Sequence, residues 1–160
     1  MARVGVTGHQ ALPPRTAMLV EQALRAFLER CDDPDLVGIT CLADGADQLF
    51  ARAVLDHGGA VEVVVPAQRY RDSLEPLSAR ETYDQLFASA FHVQRLPFVE
   101  STEESHMAAG RFIVESSDVL VAVWDGKPAR GLGGTADVVG YAHELGVPVD
   151  VVWPPGASRD

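Results

Sequence analysis

The chain has 160 residues, is 47% hydrophobic and carries a formal net charge of −10 from 13 basic against 23 acidic side chains. That length and apolar share suit one domain with a core of its own, and the acidic balance argues against a nucleic-acid polymer as partner, because such a surface repels a phosphate backbone. Cys31 and Cys41 form neither a disulfide framework nor a zinc spacing, no metal or cofactor is predicted, and no leader or membrane-length apolar run is read, which predicts a cytoplasmic protein without membrane contact.

The chain opens on a strand-like run at 4–7 and turns at Thr7-Gly8-His9-Gln10. A glycine there lets the backbone turn sharply or approach a ligand, while the next helix offers unpaired N–H groups and a positive dipole end. Gly8 and His9 are therefore candidate ligand contacts, against the plainer alternative that Gly8 only turns the chain and His9 is solvated. Val20, Ala23, Leu24, Phe27 and Leu28 form the apolar stripe of the first helix.

A second run at 36–41 leads into Leu42-Ala43-Asp44-Gly45-Ala46-Asp47 and a second helix. Asp44 is expected as its N-cap, Gly45 as a point of close approach, and Asp44 or Asp47 as acceptors for ribose hydroxyls. Asp47 is otherwise a first-turn acid favoured by the helix dipole. The third run, 61–65, ends in Pro66-Ala67-Gln68-Arg69-Tyr70-Arg71, where Arg69 can neutralise an anion and Tyr70 can stack on a base, or both can lie on a rim. A helix through Ala79, Tyr83, Leu86, Phe87 and Ala90, a strand at 92–96 and a helix through Ala109, Gly110, Ile113 and Val114 follow.

The run at 119–124, VLVAVW, is apolar without alternation, as a central strand buried on both faces should be. It leads into the richest segment of the chain, with four glycines in the nine residues from Gly126 to Gly134. Lys127 and Arg130 place positive charge beside the start of a fifth helix that Thr135 is expected to cap, and Asp137 lies in its first turn. Packing alone is not expected to require so many glycines, so Trp124, Asp125, Gly126, Lys127, Arg130, Gly133, Gly134 and Thr135 are read as a binding loop. The last run, 147–153, contains Pro148 and is placed near an edge, and 154–160 reads as a polar tail. The alternation predicts a Rossmann-like open, mainly parallel α/β sheet of about six strands with helices on both faces, binding its ligand at the carboxyl edge.

Gly8 after the first strand, the ADGAD turn, the stretch GRFIVESSDVLVAVWDGKPARGLGGTADVVGYA and GVPV before the last strand resemble the SLOG superfamily. That superfamily groups the Lonely Guy phosphoribohydrolases, the DNA-processing protein A domain and related nucleotide-binding proteins, and the resemblance runs from about Arg3 to Trp153. It implies a nucleotide-derived ligand and a homodimer or higher oligomer, the latter also suggested by Phe98 and Trp153 in otherwise exposed-looking segments.

The same segment is similar to nucleoside deoxyribosyltransferases at Gly134, Thr135, Gly140 and Ala142. The position of the catalytic glutamate of both enzyme families, third after the threonine, is Val138. The Lonely Guy Pro-Gly-Gly-x-Gly-Thr form is incomplete, with Leu132-Gly133-Gly134 in place of its first part. Cleaving an N-glycosidic bond passes through a cationic sugar that a carboxylate stabilises, and valine supplies none. Asp125, Asp44 and Asp137 are the candidate substitutes, although one helical step turns Asp137 by about 100° from position 138. The chain is therefore read as binding or sensing a nucleotide-derived ligand, with N-glycosidic hydrolysis or transfer as the alternative.

Overall fold

The computed structural model describes residues 2–160. In chain order the elements are β1 (Arg3–Gly8), α1 (Pro14–Cys31), β2 (Val37–Thr40), α2 (Ala46–His57), β3 (Ala60–Val65), α3 (Tyr70–Ser73), α4 (Leu77–Ala88), β4 (His92–Arg95), α5 (Glu103–Glu115), β5 (Val119–Val123), α6 (Thr135–Leu145) and β6 (Val149–Val151). The strands form one parallel six-stranded sheet in the order β4-β3-β2-β1-β5-β6.

Side chains alternate between the faces of each strand, and the two faces gather separate cores. Val6, Val63 and Val121 pack with Leu24 of α1, Phe50 of α2 and Tyr83 of α4. Their neighbours Ile39, Val64 and Leu120 pack with Ile113 of α5 and Val138 of α6. Both faces are thus covered, as a parallel sheet requires.

The chain steps outward from β1 to β4 and is then carried back by α5 to lay β5 against the free side of β1, with Gly8 opposite Val123. The direction of winding reverses between β1 and β5, the place where open α/β sheets bind ligands. β5 is buried from Leu120 to Val123 as its apolar run predicts, but it lies one strand in from the edge, and β2 and β1 hold the middle. An unbroken apolar run reports cover on both faces and says nothing of how many strands lie beyond. β6 forms the edge.

The helix starts also depart from expectation. Gly134 in extended conformation, not Thr135, is the N-cap of α6, and Thr135 is its buried first residue. Gly45 with φ +87° is the N-cap of α2, while the Asp44 carboxylate accepts the Ala11 N–H across the neighbouring turn at 3.2 Å. In both cases a nearby loop claims the position that local propensity assigned to a capping side chain. No helix is long and apolar enough to cross a membrane among the described residues.

Candidate functional site

Beyond the switch point the chain leaves β1 toward one face and β5 toward the other, and a cleft of about 400 Å³ opens between them, a size suited to a small ligand. Gly8 and His9 line it from the β1 side, and Arg130, Gly133, Gly134 and Thr135 line it from the β5 side. Asp47 and Tyr70 extend the lining beyond the ends of β2 and β3.

The two flanking loops are tied at His9, which is buried. Its Nε2 accepts the Asp125 N–H at 3.1 Å and lies 3.2 Å from the Asp125 carboxylate. Burial lowers the His9 pKa, helped by the positive charge of Arg159, so the ring is neutral near pH 7 and an unprotonated Nε2 is free to accept. For Asp125 burial alone would raise the pKa, but the Lys127 N–H bonded to its carboxylate and the positive charge of Arg159 act against it, and the group is held below its ordinary value. Trp153, half-buried, meets the His9 ring edge-on at 5.5 Å.

The glycines are more structural than the sequence suggests. A Cβ on Gly8 would lie 2.5 Å from the Ala46 Cβ and 2.8 Å from the Val123 Cβ, and one on Gly45 would lie 2.7 Å from the His9 carbonyl oxygen. Gly133, at φ +84°, sits against the α5 backbone, where a Cβ would come within 3.0 Å of the Met107 nitrogen. Gly134 is different, since its φ of −69° suits any residue and its closest neighbour is Ala129 of the same loop, 2.7 Å from an added Cβ. The Gly133 N–H is taken by the Asp137 carboxylate at 3.1 Å and the Gly134 N–H by the Gly131 carbonyl at 3.2 Å. The loop therefore folds on itself, and positive charge near it comes from Arg130 and Arg159.

The opposite end of the cleft is of another character. Asp47 is 7% exposed, and its carboxylate accepts the Ala43 N–H at 3.3 Å. Burial pushes its pKa up to about 7, against hydrogen bonds from Ala43, the Thr40 hydroxyl and the Cys41 backbone. Cys41 lines the cleft beside it, its thiol held well above the ordinary value by burial and then by Asp47. The buried Tyr70 ring stands edge-on to Tyr83 and to His106, which also lines the cleft. Burial lowers the His106 pKa, and its Nε2 is 2.8 Å from the Ser101 hydroxyl.

The remaining expected site residues fall outside the main cleft. Asp44 and Gly45 line a shallower groove with Leu12 and Arg52. Arg69 is 66% exposed at its side chain and pairs with Glu100 at 2.8 Å. The Trp124 indole donates to the Lys127 carbonyl at 2.8 Å, while Gly126, at φ +83°, makes the turn between them. The carboxylates considered for catalysis, Asp44, Asp125 and Asp137, are all occupied by loop amides. Val138 does line the cleft, with its methyls against Gly110, so the position that carries glutamate in the resembled enzymes faces the same space.

The polar tail is part of the site. Ser158 and Thr16 exchange hydrogen bonds of 2.7 and 2.9 Å, which bring Arg159 and Asp160 over the cleft, where Asp160 pairs with Arg130 at 3.3 Å. Nothing in its composition signals this, because a tail held by a few polar contacts has no apolar period. The buried Thr16, on an otherwise apolar helix face, is the one hint in the sequence.

The sheet order and the cleft at its reversal define a Rossmann-like protein with a cleft at the switch point. No protein-family model and no curated protein matches the chain. Among solved structures, DNA processing protein A from Streptococcus pneumoniae aligns with a TM-score of 0.71 at 20% identity, covering 98% of this chain and 52% of that one. The Helicobacter pylori protein of the same name aligns with a TM-score of 0.68 at 16% identity over 98% of this chain and 68% of that one. The molybdenum cofactor binding protein of Rippkaea orientalis aligns with a TM-score of 0.60 at 16% identity over 94% and 75%. The chain thus shares the Rossmann-like fold of these proteins, and it spans about half the length of the pneumococcal one.

One expectation is overturned by this comparison. The Helicobacter protein binds single-stranded DNA, so the fold accommodates a nucleic-acid polymer and a net charge of −10 does not exclude one. Net charge sums over the whole surface, whereas binding depends on where the donors and cations stand.

Proposed function

We propose that the chain binds a nucleotide or nucleotide-derived ligand in the switch-point cleft, with the anionic group at the Thr135 end. The observation that carries this reading is that the start of α6, Arg130 and Arg159 line the same cavity between β1 and β5. A helix start with guanidinium groups beside it attracts phosphate. Arg130 is engaged by Asp160 at 3.3 Å in an exposed pair, an interaction weak enough for a phosphate to displace.

Val138 leaves the enzyme-like position without a carboxylate, which favours holding the ligand over cleaving it. N-glycosidic cleavage is the second reading, and the observation in its favour is that the Asp47 carboxyl lines the same cleft.

Calorimetry with nucleoside mono- and diphosphates, and with a short oligothymidylate, tests the proposal on the wild type and on Gly134→Val. Saturable nucleotide binding that the variant loses supports it. No binding, or equal affinity in both proteins, would overturn it, and release of free base during incubation would favour the second reading.

A further inference from the structure

The cleft is asymmetric along the sheet edge. Its arginines lie at the β5 side, while the ends of β2 and β3 contribute Cys41, Asp47, Tyr70 and the facing His106. From β5 across β1 to β2 is two strand spacings, about 10 Å, the reach from phosphate to base edge in one nucleoside monophosphate.

Asp47 is distinctive at that far end. Its buried carboxyl has no arginine, lysine or histidine paired with it among the described residues. The groups that bond to it are the Ala43 and Cys41 amides, which can only donate, and the Thr40 hydroxyl, whose oxygen already accepts the Leu42 N–H at 3.0 Å. The titratable neighbours that face it, Cys41 and Tyr70, are held neutral by burial. Once ionised, the carboxylate accepts from these donors and keeps lone pairs free. The cleft side is where a further donor can arrive.

Resting on the binding reading above, we infer that Asp47 selects a ligand whose ring presents adjacent N–H donors, the 2-amino-4-oxo-pyrimidine edge that guanine and pterins share. The ring would lie among Asp47, Tyr70 and His106 while its phosphate lies at Thr135. A carboxylate bonded to two such donors gains charge-assisted hydrogen bonds that a ring without the amino group cannot supply.

The test compares GMP, IMP and AMP by calorimetry at pH 6 and pH 8, with a phosphorylated pterin as the arm that distinguishes the two sources of the edge. GMP is expected to bind about tenfold tighter than IMP at pH 8, the worth of one hydrogen bond to a charged group. That ratio should fall toward one at pH 6, where Asp47 with a pKa of about 7 is mostly protonated. IMP carries the same phosphate, so phosphate titration cancels in the ratio. Asp47→Asn should remove the preference at both pH values while its unliganded melting curve remains cooperative. Equal affinity for the three nucleotides at pH 8 would overturn this inference and leave the binding reading standing, as would a GMP preference that grows as pH falls. Binding of none of the four ligands would overturn both. The wild-type ratio decides the matter even if the Asn variant does not fold.

Discussion

His9 and Asp125, 116 positions apart in sequence, are joined by a 3.1 Å hydrogen bond from the Asp125 amide to the His9 ring, which fastens the β1 turn to the β5 turn. His9→Leu leaves that amide without its acceptor and should cost about 1–3 kcal/mol. The wild-type advantage is pH-dependent. Because burial depresses the folded pKa of His9 below its ordinary 6.5, its contribution is complete above that value and declines as pH falls through the folded pKa. Urea melts of both proteins at pH 7.5 and pH 5 should show the gap narrowing in acid.

The loop glycines should separate by role. Gly8→Ala and Gly133→Ala place a methyl group against Ala46 and the α5 backbone respectively, and Gly133 also has left-handed backbone. Each should lower stability by about 1–3 kcal/mol. Gly134→Ala displaces only its own loop and should reduce nucleotide affinity with a smaller change in melting temperature. Thermal melts beside calorimetry distinguish the two patterns.

Asp47 makes a prediction about stability that runs opposite to its proposed use. Its carboxyl has a folded pKa of about 7 against an ordinary 3.8, so the folded protein holds a proton that the unfolded chain releases over this range. Its effect is therefore to lower stability as pH rises from 3.8 to 7. Asp47→Asn should gain on the wild type by up to about 3 kcal/mol between pH 5 and pH 8, as measured by denaturant unfolding. An unchanged difference would show that the carboxyl is ionised without penalty.

Much of the architecture is legible in the sequence because buried parallel strands need continuous apolar runs and their helices need a 3.6-residue stripe. The run VLVAVW reports β5 in this way. The site is legible to the extent that strand ends near a reversal must form it, which brings Gly8, Asp47, Tyr70, Arg130 and Thr135 to one cleft. Arg69 and Lys127 have suitable chemistry and the wrong direction, for which a sequence has no signal. Most of the glycines that suggested a phosphate cradle are explained by contacts between segments far apart in the chain, such as Gly8 with Ala46. The single-turn α3 and the returning tail are too short or too polar to show a period.

Thr16→Val tests the tail. It removes both hydrogen bonds to Ser158 with little change of volume and should cost about 1–2 kcal/mol. Arg159 and Asp160 would then be held less firmly over the cleft. Stopped-flow measurements should show nucleotide entering and leaving faster, because less of the mouth is covered.

The pairing of β5 with β1 also governs how the molecule comes together. β1 to β4 join neighbour to neighbour, but the second edge of β1 stays open until α5 has returned across the sheet. Closing so long a loop is slow, so the late event of folding is the one that creates the cleft. A bound nucleotide then stabilises contacts absent from the earlier stages, and it should prolong the lifetime of the native state while leaving the rate of folding almost unaltered.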